Sequence, residues 1–282
     1  MRFLLVLASV ALSTSAQSRF SIAGRDVTLW KPAGPAPASG FPLVVFSHGY
    51  AGCATQSKFL TEALAHAGYL VAAPNHHDAL CGGAAGHRFT RPQESFIEDG
   101  AWSDATYRDR AADIGALLDA VLAARSFDGV PVDAGRVGLA GHSLGGYTVL
   151  GLAGAWPSWK DSRVKAVLAL SPYCEPYVRN GDLAHLNAPV MYQGGTLDLG
   201  MTPTVRRPGG AYELSGAPKY YVELNGAAHF AWTDLNPTYQ AIIVQYSVAF
   251  FDRYLKGNPA ALEPLMKTPY PRLISFLGMD SK

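Results

Sequence analysis

The residues Gly141-His142-Ser143-Leu144-Gly145 set a serine between glycines two positions to either side. A serine hydroxyl is a weak nucleophile at neutral pH. It becomes useful on a sharp turn that exposes it to a base and to a substrate carbonyl. Such a turn crowds the backbone, which is why small residues are needed at positions 141 and 145; Gly146 lets the next segment pack closely. The base must follow later in the chain. His229, in Gly226-Ala227-Ala228-His229-Phe230, sits in a small-residue turn just past a strand-like run. A carboxylate must fix its tautomer and stabilise the imidazolium that forms. Asp198, closing Gly194-Gly195-Thr196-Leu197-Asp198, has the right place in the order Ser, Asp, His; Asp161, Glu175, Asp182 and Asp234 are its rivals. The oxyanion of a tetrahedral intermediate needs N–H donors set in advance. The backbone N–H of Leu144 supplies one. The loop Ser47-His48-Gly49-Tyr50-Ala51-Gly52 supplies the second, assigned to Tyr50, with His48 read as a brace for that loop. His76-His77-Asp78 with His87 offers a weaker, metal-dependent alternative, but no metal site is expected.

These side chains need a scaffold, and the chain alternates strand-like and helix-like segments, as a mostly parallel sheet with helices on both faces requires. The expected strands are Phe41–Phe46, Tyr69–Ala73, Arg136–Ala140, Val164–Leu170, Pro189–Gln193 and Tyr220–Leu224. Helices are expected over Gln56–His66, from Ser103 onward, over Leu144–Ala155 and over Tyr239–Leu255. The second carries a stripe of Ile114, Leu117, Leu118, Val121 and Leu122 at helical spacing. Asn75 to Trp102 has no period and reads as a long functional loop, open to a lid role.

With 282 residues, 49 % hydrophobic and 16 % charged, the chain suits one large α/β domain rather than a disordered segment. A formal net charge of +1 with no basic run gives no electrostatic case for nucleic acid or an anionic membrane. Arg2, the apolar Phe3–Leu12 and the small residues Ser13 to Ala16 have the order of an export signal, cut after Ala16, which leaves 17–282 as a single domain. The mature chain is expected as a monomer without a membrane-spanning segment, in the periplasm or outside the cell. Cys53, Cys81 and Cys174 are an odd number. Adjacent parallel strands deliver the loops bearing Cys53 and Cys81 to one sheet edge, so a disulfide between them is expected, with Cys174 free.

His48-Gly49-Tyr50, Gly141 to Thr148, Gly195-Thr196-Leu197-Asp198 and Ala228-His229-Phe230 together resemble the dienelactone-hydrolase-like branch of the α/β hydrolases. Platelet-activating-factor acetylhydrolases, chlorophyllases and cutinase-like polyester hydrolases group there. The resemblance runs from about Phe41 to Leu255 and implies the α/β-hydrolase fold and the triad Ser143, His229, Asp198. It departs from true dienelactone hydrolases, which use a cysteine nucleophile, and from chlorophyllases, which carry a basic residue where Leu144 stands. Cutinase-like enzymes often have Pro-Trp where this chain has Pro172-Tyr173. Tyr50 and Tyr173 are thus candidates to clamp a substrate over the serine, or plain wall residues. The expected function is a secreted, cofactor-free serine esterase forming an acyl-enzyme, on small to medium, lipid-like or polymeric esters. An acyltransferase and a catalytically silent binding relative are the alternatives.

Overall fold

The computed structural model describes residues 17–81 and 91–280; the expected leader and His87 lie outside them. One sheet organises these residues. Its strands are β1 (Gln17–Ile22), β2 (Arg25–Trp30), β3 (Phe41–Ser47), β4 (Leu70–Pro74), β6 (Val130–His142), β7 (Val164–Leu170), β8 (Val190–Gly195), β9 (Lys219–Leu224) and β10 (Ile274–Asp280), with the two-residue β5 (Ser126–Phe127) folded back on β6. The spatial order is β1-β2-β4-β3-β6-β7-β8-β9-β10. β4, β3, β6, β7, β8 and β9 are parallel neighbours. β1, β2 and β10 add antiparallel edges.

Helices α1 (Lys58–His66), α2 (Arg108–Ala124), α3 (Leu144–Leu150), α4 (Glu175–Asn180), α5 (Thr202–Arg206), α6 (Ala211–Leu214) and α7 (Gln240–Tyr254) cover the sheet. One apolar layer joins α2 and α3 to one face, and its α2 stripe is Ile114, Leu117, Leu118 and Val121, all buried. The other joins α1 and α7 to the opposite face through Leu60, Leu64, Ile242, Tyr246 and Phe250. A sheet covered on both sides explains why the central strands read as unbroken apolar runs: every residue of β3 and β4 is buried.

The chain passes from β3 to β4 on one side and from β6 to β7 on the other, so β3 and β6 flank a switch in strand order. Their carboxyl ends open a crevice, where ligands of open α/β sheets bind. The loop 48–52 and Ser143 both leave the sheet there.

Boundaries differ from expectation where local signals were weak. α1 begins at Lys58 rather than Gln56, because the Asp234 carboxylate accepts the N–H groups of Lys58 at 3.0 Å and Phe59 at 2.9 Å. The helix after Ser143 turns to a wider π geometry over Gly151–Ala155, where Gly154 has φ +115°. α2 starts at Arg108, behind Tyr107 in a left-handed conformation, not at Ser103.

Candidate active site

Ser143 leaves β6 with φ 56° and ψ −117°, a backbone state that is costly for a serine and holds the hydroxyl out of the turn. The glycines are needed for direct steric reasons. A Cβ on Gly141 would lie 2.2 Å from the Gly145 carbonyl oxygen, and one on Gly145 would lie 1.9 Å from that of Ser47. A Cβ on Gly146 would lie 2.6 Å from that of Pro172, less tight but still too close. Leu144 is the first residue of α3, and its N–H has no acceptor within the helix.

The three residues expected from sequence converge. His229 Nε2 lies 3.0 Å from Ser143 Oγ, and His229 Nδ1 lies 3.3 Å from Asp198 Oδ2. Asp198 is buried at the end of β8, and His229 opens a short turn after β9. Their two loops are tied together, with Leu197 N–H donating to Ala227 O at 3.0 Å and Gly226 N–H to Thr196 Oγ1 at 2.7 Å. The rival carboxylates have other partners. Asp234 caps α1, Asp161 binds Arg163, Glu175 binds Thr204 and Arg207, and Asp182 binds His185.

The loop after β3 is held from beneath by residues the sequence did not single out for this role. The buried Arg110 guanidinium donates to His48 O at 2.7 Å and Gly49 O at 3.2 Å. It also forks onto the Asp78 carboxylate at 2.9 and 2.8 Å, and Asp78 accepts the Ala51 N–H at 3.1 Å. Burial alone would raise the Asp78 pKa, but the Arg110 charge and hydrogen bonds outweigh it and bring it down to about 2. The segment on both sides of Tyr50 is therefore anchored to a permanent ion pair. His48 is a brace, as expected: its Nδ1–H donates to Gly49 O at 2.7 Å and its Nε2 accepts the His76 N–H at 3.0 Å. His76 in turn bridges Ser47 and Asp113, each at 2.9 Å. His76 and Asp78 are thus engaged in bracing the loop.

Gln56 and His142 connect that loop to the base. Gln56 Oε1 accepts the Gly49 N–H at 3.0 Å, and its amide nitrogen lies 3.0 Å from His142 Nδ1. The Nε2–H of His142 donates to the His229 carbonyl oxygen at 2.9 Å. His142, the residue just before Ser143 in the G-x-S-x-G turn, therefore steadies the backbone of the histidine.

Above the serine lies a cleft of about 570 Å³, walled by Tyr50, Phe96, Met201, Phe230 and Leu235. Of the two tyrosines expected as a clamp, only Tyr50 lines it. Tyr173 stands one layer back, buried against Trp102 at 4.7 Å and Phe96 at 5.1 Å between ring centres. Phe96, from the described end of the long loop, faces the cleft in its place; nothing in an aperiodic segment marked it out. The expected Cys53–Cys81 bond is not formed, and all three cysteines are free thiols. Cys53 and Cys81 are nonetheless neighbours whose interaction pulls Cys53 below the usual thiol range and pushes Cys81 up, while the Cys81 thiol donates to Asn75 Oδ1 at 3.1 Å.

A strained serine elbow at the carboxyl edge of a doubly covered parallel sheet, with a histidine and a buried aspartate behind it, is the arrangement of an α/β hydrolase. The family model described as PET hydrolase-like matches residues 102–262, more than half of the chain, and the chain belongs to that family. The model of platelet-activating factor acetylhydrolase, isoform II, matches residues 26–114. Cutinase est1 of Thermobifida alba is 27 % identical over 244 residues, covering 86 % of this chain and 70 % of its own. Cutinase 2 of Thermobifida cellulosilytica is 28 % identical over 225 residues, covering 79 % of this chain and 72 % of its own. A bis(hydroxyethyl) terephthalate hydrolase of Streptomyces coelicolor is 29 % identical over 148 residues, covering 50 % and 42 %. The protein is a carboxylic ester hydrolase of the serine-hydrolase type.

Proposed function

We propose that this enzyme cleaves esters through an acyl-enzyme on Ser143, with His229 as base and acid and Asp198 as the orienting carboxylate. The observation that carries the reading is the 3.0 Å approach of His229 Nε2 to Ser143 Oγ at the floor of an apolar cleft. In the first half-reaction His229 takes the serine proton as Oγ attacks the ester carbonyl. The oxyanion is received by the N–H groups of Tyr50 and Leu144, and His229 then protonates the departing alkoxide. Water reverses the sequence, and no cofactor takes part.

The substrate class follows from the cleft. Its walls are aromatic and aliphatic, and Phe230 and Leu235 at its edge are exposed to solvent. Ile97, next in the chain to Phe96, and Leu199, next to Asp198, are exposed as well. An apolar mouth of this kind suits an acyl group presented by a polyester or lipid surface, as the names of the cutinase and terephthalate-ester hydrolase relatives also suggest. A series of p-nitrophenyl esters together with aliphatic and aromatic polyester films tests this. Release of soluble acids from film, with kcat/KM rising from acetate to medium acyl chains, is the expected result. Turnover of acetate alone, with no product from any film, would refute the substrate class.

Export and covalent state belong to the same proposal: residues 1–16 are a leader, and 17–282 fold as one domain. Among the described residues no helix is long and apolar enough to cross a membrane. In an oxidising compartment, exchange of the Cys53 and Cys81 thiols with an external disulfide would join them and release two thiols. The bond would close a loop of about 28 residues, for about 3 kcal/mol in the chain-entropy model. It would tie the loop after β3, whose Gly52 O already accepts the Leu80 N–H at 3.0 Å. Non-reducing peptide mapping of the exported protein should show a mature start at Gln17 and a Cys53–Cys81 peptide. Three free thiols, or a pairing with Cys174, would count against the bond.

A further inference from the structure

His229 Nδ1 has two oxygen neighbours, and Asp198 is the farther one. Asp198 Oδ2 lies 3.3 Å away, long for a charge-assisted hydrogen bond, whereas Ser171 Oγ lies 2.8 Å away. The Ser171 hydroxyl in turn donates to the same Asp198 Oδ2. Ser171 is 0 % exposed. It follows the last residue of β7, and its N–H donates to Gln193 O at 2.7 Å, carrying the β7–β8 pairing one step past the strand.

Its backbone adds a second observation. Ser171 has φ +44°, in the left-handed region where glycine is the easier residue. A strained serine persists where its side chain is needed. Here the need is for an oxygen that accepts one hydrogen bond and donates another, which a hydroxyl does and an aliphatic side chain cannot.

We propose that Ser171 is a positioning residue for ester hydrolysis, its hydroxyl standing between Asp198 and His229, accepting the Nδ1–H of the histidine and donating its own proton to the carboxylate. The inference rests on the assignment of Ser143, His229 and Asp198 made above. It adds a fourth member to the line, so that carboxylate and imidazole act on each other largely through a bridging hydroxyl. When His229 takes the Ser143 proton at Nε2, the positive ring is met at Nδ1 by an oxygen whose own proton is held by the carboxylate. Hydrogen bonds in such a chain polarise one another. No proton needs to reach Asp198. The hydroxyl also fixes the ring plane, while His142 holds the His229 carbonyl at 2.9 Å.

The test is steady-state kinetics of the full chain on p-nitrophenyl butyrate, with Ser171→Ala and Ser171→Gly. Both remove the hydroxyl, but glycine also relieves the positive φ, so a merely structural serine would leave the glycine enzyme the better of the two. The relay predicts that both lose kcat by about tenfold or more, with KM within about twofold. It also predicts that the acidic limb of the kcat/KM–pH profile moves to higher pH, because a bare carboxylate then faces the ring. In an Asp198→Asn background, adding Ser171→Gly should cost less than about twofold, since the two residues act as a unit. Wild-type kcat and an unmoved limb in Ser171→Gly would overturn the inference, as would a full loss persisting in the Asp198→Asn background. His229→Ala is the control. If it is inactive while Ser171→Gly is normal, the relay alone fails; if it retains activity, the triad assignment fails and the relay falls with it.

Discussion

Ser143→Ala should remove essentially all ester hydrolysis while leaving the fold intact. Neither nearby serine can take over the attack: Ser171 is buried behind the histidine, and the Ser47 hydroxyl is bonded to His76 on the far side of the loop. Loss of a nucleophile or base in this kind of unit costs on the order of a million-fold in kcat, and the losses do not add. His229→Ala should therefore match Ser143→Ala, and the double variant should be no worse. Asp198→Asn should lose less, about ten-thousand-fold, because the oxyanion donors and the nucleophile remain. Replacing Asp161 or Asp182 by Asn should leave kcat near wild type, since each binds a surface neighbour away from the cleft. Initial rates on p-nitrophenyl butyrate, with melting curves run beside them, decide the matter. More than about one per cent of wild-type activity in a clean Ser143→Ala preparation would exclude it as the nucleophile.

The second large effect is on stability. His48 and His142 are held neutral in the folded protein. Burial pushes His48 down, helped by the Arg110 charge and by His76, against a weaker pull from Asp78. Burial and the nearby His229 lower His142 to about 3. Unfolded, both rings return to an ordinary value of about 6.5. A histidine with a depressed folded pKa binds fewer protons folded than unfolded, so stability rises with pH. Its contribution is intact above about pH 6.5 and is lost progressively as the pH falls below that value. By pH 5 the loss is about 2 kcal/mol for His142, and His48 adds to it in the same direction. That is a large share of the roughly 5–15 kcal/mol typical of a folded domain. His76 acts in the same direction, since burial and the Arg110 charge hold it well below an ordinary imidazole. The carboxyl of Asp113, itself raised by burial, has the opposite sign. Urea unfolding at about pH 7.5 and about pH 5 should show the difference, and His48→Asn should reduce it. Equal unfolding free energies at the two pH values would mean that these histidines are not held neutral.

What the sequence by itself determined was the chemistry carried by short, local patterns. Gly141 and Gly145 around Ser143 announce a turn whose backbone tolerates no Cβ, and the steric distances at those positions bear that reading out. The central strands were legible because burial on both faces leaves an unbroken apolar run, and β7 was read to the residue as Val164–Leu170. The edges were not. β1 alternates exposed and half-buried positions, and β10 buries only Ile274 and Gly278, so neither carries the apolar run that marks a central strand. Long-range pairings left no local trace either. Asp234 caps a helix that begins 176 residues earlier, and Arg110 reaches back to a loop about 60 residues before it. In sequence each is only a charged residue, because the partner that gives it a role is supplied by sheet order. Ser171 is the sharpest case. Read along the chain it is a serine before Pro172-Tyr173. Only the meeting of the ends of β7, β8 and β9 at one sheet edge places its hydroxyl between Asp198 and His229, since parallel strands bring together residues that are far apart in sequence.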